Sequence, residues 1–382
     1  MTIQRKVGIK VILLITLALL ALQLPEMSLT KAYAADKSIT GLGTGSIRNP
    51  VNGNTDGLTA WTGSYVYYGK YDGKPVKYRV LDKASMDFGG NTMLLDCDNT
   101  LYTSVFEESG RGSWERSSIK SGLNAEQFLT KEGVFTSAEK AAIAESKKAN
   151  KKELDGSGGS ELVYKALTGE QIFLLDSVEA TRLSYGYTDW GNGHNNYVQK
   201  AATRKKDGVD KKWWLRSPLD GYVNVGGYVQ TDGEILTVSF NGSIGVSPAF
   251  NVNLSSILFS SELPSESGSY KLTLKDNNLS IKKDGNITRN GKTITIPYSA
   301  SGTYNRVSVL MTDKAYNDNG AAVKYYGELN GSKQFSLPNG YNTNWKVYIL
   351  AEQVNGAFET DYASIPVEIR ITAEPVKEKQ TE

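Results

Sequence analysis

Residues 213–250 read WWLRSPLDGYVNVGGYVQTDGEILTVSFNGSIGVSPAF. A tryptophan pair and an Arg-Ser-Pro corner open the stretch. Tyr222-Val223 and Gly227-Tyr228-Val229 are predicted short strands, and Ile235 to Phe240 alternates. Asp232-Gly233 marks a turn, and Asn241-Gly242 is a strong two-residue hairpin signal. Ile244 to Val252 then closes the domain as a final strand. On a strand, neighbouring side chains face opposite sides, so one of Trp213 and Trp214 is expected to point inward and the other outward. The block holds no metal-ligand cluster and no evident nucleophile. It reads as a framework that carries loops.

Upstream, Ser64 to Tyr71 and Val76 to Leu81 flank Asp72-Gly73-Lys74-Pro75, a hairpin signature. Thr92-Met93-Leu94-Leu95-Asp96-Cys97 is apolar at consecutive positions, which predicts a central strand. Ser117 to Phe128 places Ile119, Leu123 and Phe128 near one helical face. Thr136 to Glu139 has capping-box spacing and predicts a second helix, with Ala141, Ile143 and Ala144 inward. The run Lys147 to Lys152 is read as its solvated, cationic C-terminal end. From Tyr270 to Thr372 the pattern is alternating strands and turns only, as expected of an immunoglobulin-like β-sandwich without its disulfide.

The organisation expected from these patterns is a signal peptide over 1–35 and a flexible segment over 36–58. An α+β domain follows over 59–256, a linker over 257–268, a sandwich over 269–373 and a disordered tail over 374–382. The leader carries Arg5, Lys6 and Lys10 before an apolar stretch from Val11 to Leu22, and Ala32-Tyr33-Ala34 fits a cleavage site. The whole chain has 43 basic and 41 acidic residues among 382. Four basic residues and one acidic residue lie in the leader, so its removal tips the small excess to negative. Nothing in that balance predicts nucleic-acid binding. No transmembrane anchor is expected beyond the cleaved signal. One cysteine, Cys97, excludes an intrachain disulfide.

Catalytic patterns are thin. His194 is the sole histidine and no G-x-S-x-G elbow occurs. Carboxylates are plentiful, but no spacing selects a glycosidase pair. No catalytic residue, cofactor or metal ligand is assigned, although a structural Ca2+ could sit in Asp207 to Asp210 or Asp313 to Asp318. The candidate binding residues are Tyr185, Tyr187, Asp189, Trp190, His194, Asn196, Trp213, Arg216 and Tyr222. Aromatic faces beside amide, carboxylate and imidazole groups suit a sugar or a protein partner. The alternative is a loop whose aromatics fold back on the domain. Arg216 could meet a ligand carboxylate, or hydrogen-bond loop carbonyls.

Four segments carry a family resemblance. They are Tyr78 to Leu81; Trp114 to Phe128 with Ser137 to Ile143; Ile172 to Leu175 with Tyr185-Gly186-Tyr187; and Trp214 to Pro218 with Gly233 and Gly245-Val246-x-Pro248-Ala249-Phe250. Over about residues 60 to 254 the chain resembles a family of uncharacterised domains from extracellular proteins of Gram-positive bacteria. The family pattern has Arg where this chain has Ser247. More distantly, the closing block is similar to the C-type-lectin-like and formylglycine-generating-enzyme-like fold. That likeness implies a C-type-lectin-like α+β framework with a variable loop surface. The redox cysteines of those enzymes are missing, so oxidase activity is not implied. The expectation is a secreted or cell-surface, non-enzymatic protein that binds glycan or a surface protein. Its alternatives are an envelope carbohydrate-active hydrolase and a purely structural component.

Overall fold

The computed structural model describes residues 40–41, 50–53, 61–85, 87–148, 166–187, 203–219, 221–318 and 321–371. The expected signal peptide and the expected tail lie outside them. The protein is β-rich, with two short α-helices among the described residues, Ser118–Leu123 and Ser137–Ala142. None of the described helices is long and apolar enough to cross a membrane.

The first module grows from the expected hairpin. Tyr65–Tyr71 pairs antiparallel with Lys74–Ser85. Both turn residues have positive φ, Asp72 at 49° and Gly73 at 77°. Asp-Gly suits that primed geometry, whose twist matches the flanking strands. Thr92–Cys97 is buried at every position, between Lys74–Ser85 and Ala249–Asn253. It is the central strand that its apolar run predicts.

Thr136 caps the second helix. Its hydroxyl accepts from Glu139 N, and the Glu139 carboxylate accepts from Thr136 N, a complete capping box. The helix is shorter than expected and stops at Ala142. Ile143 and Ala144 pair instead with Val252 and Asn251. Ser146–Lys148 pairs with Leu167–Glu170, so the lysine run begins on a strand rather than a helix end. Pairing with the edge of Ala249–Asn253, helped by the β-branched Ile143, outweighs the helical propensity of Ala144, Glu145 and Lys147 there. The first helix likewise ends at Leu123, before Phe128.

A second sheet has the order Ile235–Ser239, Val225–Val229, Trp213–Pro218, Ile244–Val246, Tyr102–Ser104. Asn241-Gly242 does turn the chain, with Gly242 N donating to Ser239 O at 2.9 Å. Yet the strands it joins are not partners. Ile244–Val246 crosses over to lie parallel to Trp213 and antiparallel to Tyr102–Ser104. Asn241 is not among the positive-φ residues, so the primed hairpin geometry is absent. Tyr222-Val223 is an exposed turn rather than a strand.

Residues 257–268 are not a linker. Ile257–Leu263 and Glu266–Lys275 form an antiparallel pair. Beyond it, Arg306–Thr312, Ala322–Glu328, Lys346–Gln353 and Val367–Ile369 make one layer of a β-sandwich. Ser280–Lys283 with Tyr298–Ser301, and Thr288–Asn290 with Thr293–Thr295 and Gln334–Ser336, make the other. Ile281, Ile294, Ile296, Val309, Met311 and Ile349 fill the space between. The outer face of the first layer is also covered. Leu258 and Phe259, from the supposed linker, pack on Leu310, Val323, Tyr348 and Leu350. Two residues of the expected N-terminal segment, Thr40–Gly41, pair parallel to Ala322–Val323.

Glu266–Lys275 ties the two modules into one sheet. One edge takes Ile257–Leu263. On the opposite edge, Ser269–Lys271 pairs parallel with Tyr65–Tyr67, and Thr273–Lys275 pairs parallel with Asp361–Ala363. Neither module's ladder is complete without this strand. The chain is therefore expected to melt as one cooperative transition in differential scanning calorimetry. Two well-separated transitions would show that the shared strand does not couple the modules.

Candidate functional site

The candidate residues divide by burial. Tyr187, Trp213 and Arg216 are fully buried, Tyr185 is 1% exposed, and Tyr222 is 57% exposed. Asp189, Trp190, His194 and Asn196 lie outside the described residues. Both tryptophans of the pair are buried, because their strand is covered on both faces. The surface expected from Tyr185, Tyr187, Trp213 and Arg216 is thus not one that solvent reaches.

Arg216 is consumed by structure. Its guanidinium donates to Leu174 O at 2.6 Å, to Asp176 Oδ2 at 2.7 Å and to both Glu179 oxygens at 2.5 and 2.8 Å. Lys148 adds an ion pair to Glu179. The two carboxylates are themselves placed by reciprocal caps: Glu179 N donates to Asp176 Oδ1 at 2.7 Å, and Asp176 N to Glu179 Oε2 at 2.9 Å. Of the two readings of Arg216, the structural one fits, although carboxylates outnumber the single carbonyl. The D-x-x-E spacing of Asp176 and Glu179 was the available signal, since it has capping-box form. Burial opposes ionisation of Glu179, but Arg216 and then Lys148 more than offset it and hold the carboxyl far below its usual range. Burial moves Asp176 the other way, upward, with Glu179 adding to the rise.

A second buried cluster fixes Tyr187. Its hydroxyl donates to Asp96 Oδ2 at 2.6 Å, and Arg204 pairs with the same carboxylate. Arg204 Nε also donates to Ser247 Oγ at 3.3 Å. A guanidinium therefore stands beside position 247, delivered from another strand. Cys97 lies next to this cluster, and burial pushes its thiol up, away from the reactive thiolate.

What stays open to solvent lies elsewhere, on either side of the Asp72-Gly73 hairpin tip. The larger recess is a cleft of about 510 Å³. It begins at Gly69, whose φ of 63° marks a bulge in Tyr65–Tyr71. A Cβ there would lie 2.6 Å from the Phe135 ring and 2.7 Å from Val134 O, so glycine is required. Past the bulge the strand leaves the edge of Glu266–Lys275, and Asp361–Ala363 takes its place. The cleft is the notch between them. Lys70 and Glu359 form an ion pair across it at 3.1 Å. Gln353, Asn355 and Thr360 line the sandwich side, and Phe135 and Tyr362 line its apolar part. The Glu139 carboxylate is committed to Thr136 N at 2.8 Å and Gly69 N at 3.1 Å. Thr360 Oγ1 is buried and finds no hydrogen-bond partner among the described residues.

The second recess is a groove of about 320 Å³ lined by Tyr71, Tyr102, Thr103, Ser104, Gln127 and Lys131, with Glu126 at its rim. The rings of Tyr71 and Tyr102 stack with centroids 5.7 Å apart at 16°. Lys131 Nζ lies 4.2 Å from the Tyr71 ring and pairs with Asp72 at 2.8 Å. Tyr102 Oη is buried and has no hydrogen-bond partner among the described residues. Burial, and secondarily Tyr71, raises its pKa, so it stays a neutral donor and acceptor. None of these groove residues was singled out from sequence. Tyr71 and Tyr102 sit on strands of different sheets, and no local pattern brings them together. Among the described residues no group of three His, Cys, Asp or Glu side chains could hold a metal ion.

Residues 89–254 match the family model of a domain of unknown function, DUF6273. This agrees with the resemblance to an uncharacterised domain family. The matched span includes Tyr102 and Lys131 of the groove and stops before Ile257. The hairpin with Tyr71, the shared strand and the sandwich lie outside it. No curated protein and no solved structure matches the chain.

Replacing Arg216 by Ala leaves two buried carboxylates with Lys148 alone, at a cost of about 3–5 kcal/mol. Urea unfolding measures it. The depressed Glu179 contributes stability above the unfolded carboxyl value of about 4.3, and that stability is lost as pH falls below it. The gap between wild type and Arg216→Ala should therefore narrow between pH of about 7 and about 3. Thr360→Val should leave the melting temperature unchanged or raise it, because a buried hydroxyl without a partner costs about 1–3 kcal/mol. A drop of several degrees would mean that the hydroxyl is satisfied in the folded protein.

Proposed function

We propose that the protein is a secreted or cell-surface, non-enzymatic binding protein, and that the groove of Tyr71 and Tyr102 takes a glycan. The stacked tyrosine pair in a groove also lined by Gln127 and Lys131 carries this reading. Flat aromatic faces accept the C–H faces of a sugar ring, and Gln127 and Lys131 can meet its hydroxyls. The sequence supports an exported protein through its basic, then apolar, N-terminus and the Ala32-Tyr33-Ala34 site. A C-type-lectin-like first module followed by an immunoglobulin-like module belongs to the same proposal, with the second acting as a spacer or second surface.

The face that holds the hairpin tip and residues 126–136 replaces the buried Tyr185, Tyr187, Trp213 and Arg216 as the expected surface; Asp189, Trp190, His194 and Asn196 lie outside the described residues. Tyr222, though exposed, lines neither recess.

A glycan array probed with the full chain and with Tyr102→Ala tests the proposal. Signals for neutral glycans in the wild type should fall about ten-fold in the variant, as one lost stacking contact implies. Tyr102→Phe, which keeps the ring, should lose less. Circular dichroism melts confirm that both variants fold. Absence of any glycan signal, or signals indifferent to Tyr102→Ala, would sink the groove as a sugar site. Release of new reducing ends from a bound glycan would favour the hydrolase instead.

A further inference from the structure

We propose that Lys271 and Asp361 condense into an intramolecular amide, a covalent staple between the shared strand and the sandwich. Lys271 stands on Glu266–Lys275, and Asp361 opens Asp361–Ala363, the strand beside it. Lys271 Nζ lies 2.8 Å from Asp361 Oδ1 and 2.7 Å from Oδ2. The carbon that joins those oxygens is therefore about 3 Å from the nitrogen, which is near-attack range. The two side chains are only 13% and 8% exposed. Asn355 N donates to Asp361 Oδ1 at 2.7 Å, so a backbone donor already stands where negative charge would develop on that oxygen.

An exposed pair of this kind stays ionised, and an ammonium cannot attack. Here burial raises the Asp361 carboxyl, against the opposing pull of Lys271 and of Asn355 N, which favours the uncharged acid. Other lysine partners differ. Glu170, Glu179 and Glu266 each pair with a lysine, yet burial is outweighed there by hydrogen bonds and charge, and their carboxyls move down. Glu352 is a second buried acid. It pairs with Ala363, two residues from Asp361, and so shares its face of the sheet. Burial raises Glu352 as well, and Asp361 adds to that rise, so Glu352 is a positioning residue that keeps a proton within the site. The step balances without a co-reactant. The Lys271 ammonium passes one proton to the Asp361 carboxylate. The amine lone pair then forms the Nζ–Cγ bond, the Cγ–Oδ2 bond breaks, and Oδ2 leaves as water with a proton from Nζ. Exclusion of bulk water from the pair opposes the reverse hydrolysis. A chain whose single cysteine excludes an intrachain disulfide would gain its cross-link this way.

Intact mass spectrometry and peptide mapping of the purified full chain test this. The wild type should weigh one water less than its sequence requires, and a tryptic digest should hold one branched peptide that joins the Lys271 and Asp361 segments. Lys271→Arg keeps the positive charge and the ion pair but has no amine to condense. It should fold, as circular dichroism checks, and show the full mass. Asp361→Ala should show the full mass too. Glu352→Gln should leave a larger unlinked fraction. A wild type that keeps its full mass after prolonged incubation, or a water loss that survives Lys271→Arg, overturns the staple and leaves an ion pair. A linked fraction unchanged in Glu352→Gln overturns the part given to Glu352.

Discussion

The strand Glu266–Lys275 spends its two edges unequally. Ile257–Leu263 runs along one edge for most of its length, while the other is divided between Tyr65–Tyr67 and Asp361–Ala363. Those two partners come from opposite ends of the described chain and belong to different modules. A parallel pair cannot be closed by a tight turn, so each such contact is set by the whole fold between the partners. The handover from one partner to the other also creates the cleft. Gly69 bends the first strand off the edge, and Thr360 and Tyr362 enter where it leaves. The cleft is thus a by-product of how one edge is shared.

The first module buries several of its charges in pairs. Arg216 with Asp176, Glu179 and Lys148, and Arg204 with Asp96 and Tyr187, bury groups that would attract attention at a surface. Such pairs are weak sources of net stability, since desolvation offsets most of the attraction. They are strong sources of position: a misplaced strand would leave an ion without its partner.

Much of the local architecture was legible in the sequence. Asp72-Gly73 named its hairpin, Thr92 to Cys97 named a central strand, and Thr136 with Glu139 named a helix start. The physical content of each signal is complete within a few residues. The same logic failed where a neighbour competed. Asn241-Gly242 turned the chain without pairing its flanks, because Ile244–Val246 found better partners in Trp213 and Tyr102–Ser104. Residues 257–268 read as a linker from their serines and proline, although Ile257-Leu258-Phe259 carried an apolar run that the sandwich's outer face needed. The candidate site was less legible still. Tyr185, Tyr187, Trp213 and Arg216 were chosen for residue type, and residue type does not distinguish a displayed ring or guanidinium from a buried one.

The sequence by itself determined the β-rich character, the turns, the caps and the lack of a disulfide, since these follow from backbone preference, side-chain period and composition. Only the tertiary structure decided which strands pair across modules, which aromatics are sealed in, and that Tyr71 meets Tyr102 beside a cleft. The reason is physical: a sheet edge offers the same N–H and C=O groups to any strand. Which strand takes them depends on the packing of everything else.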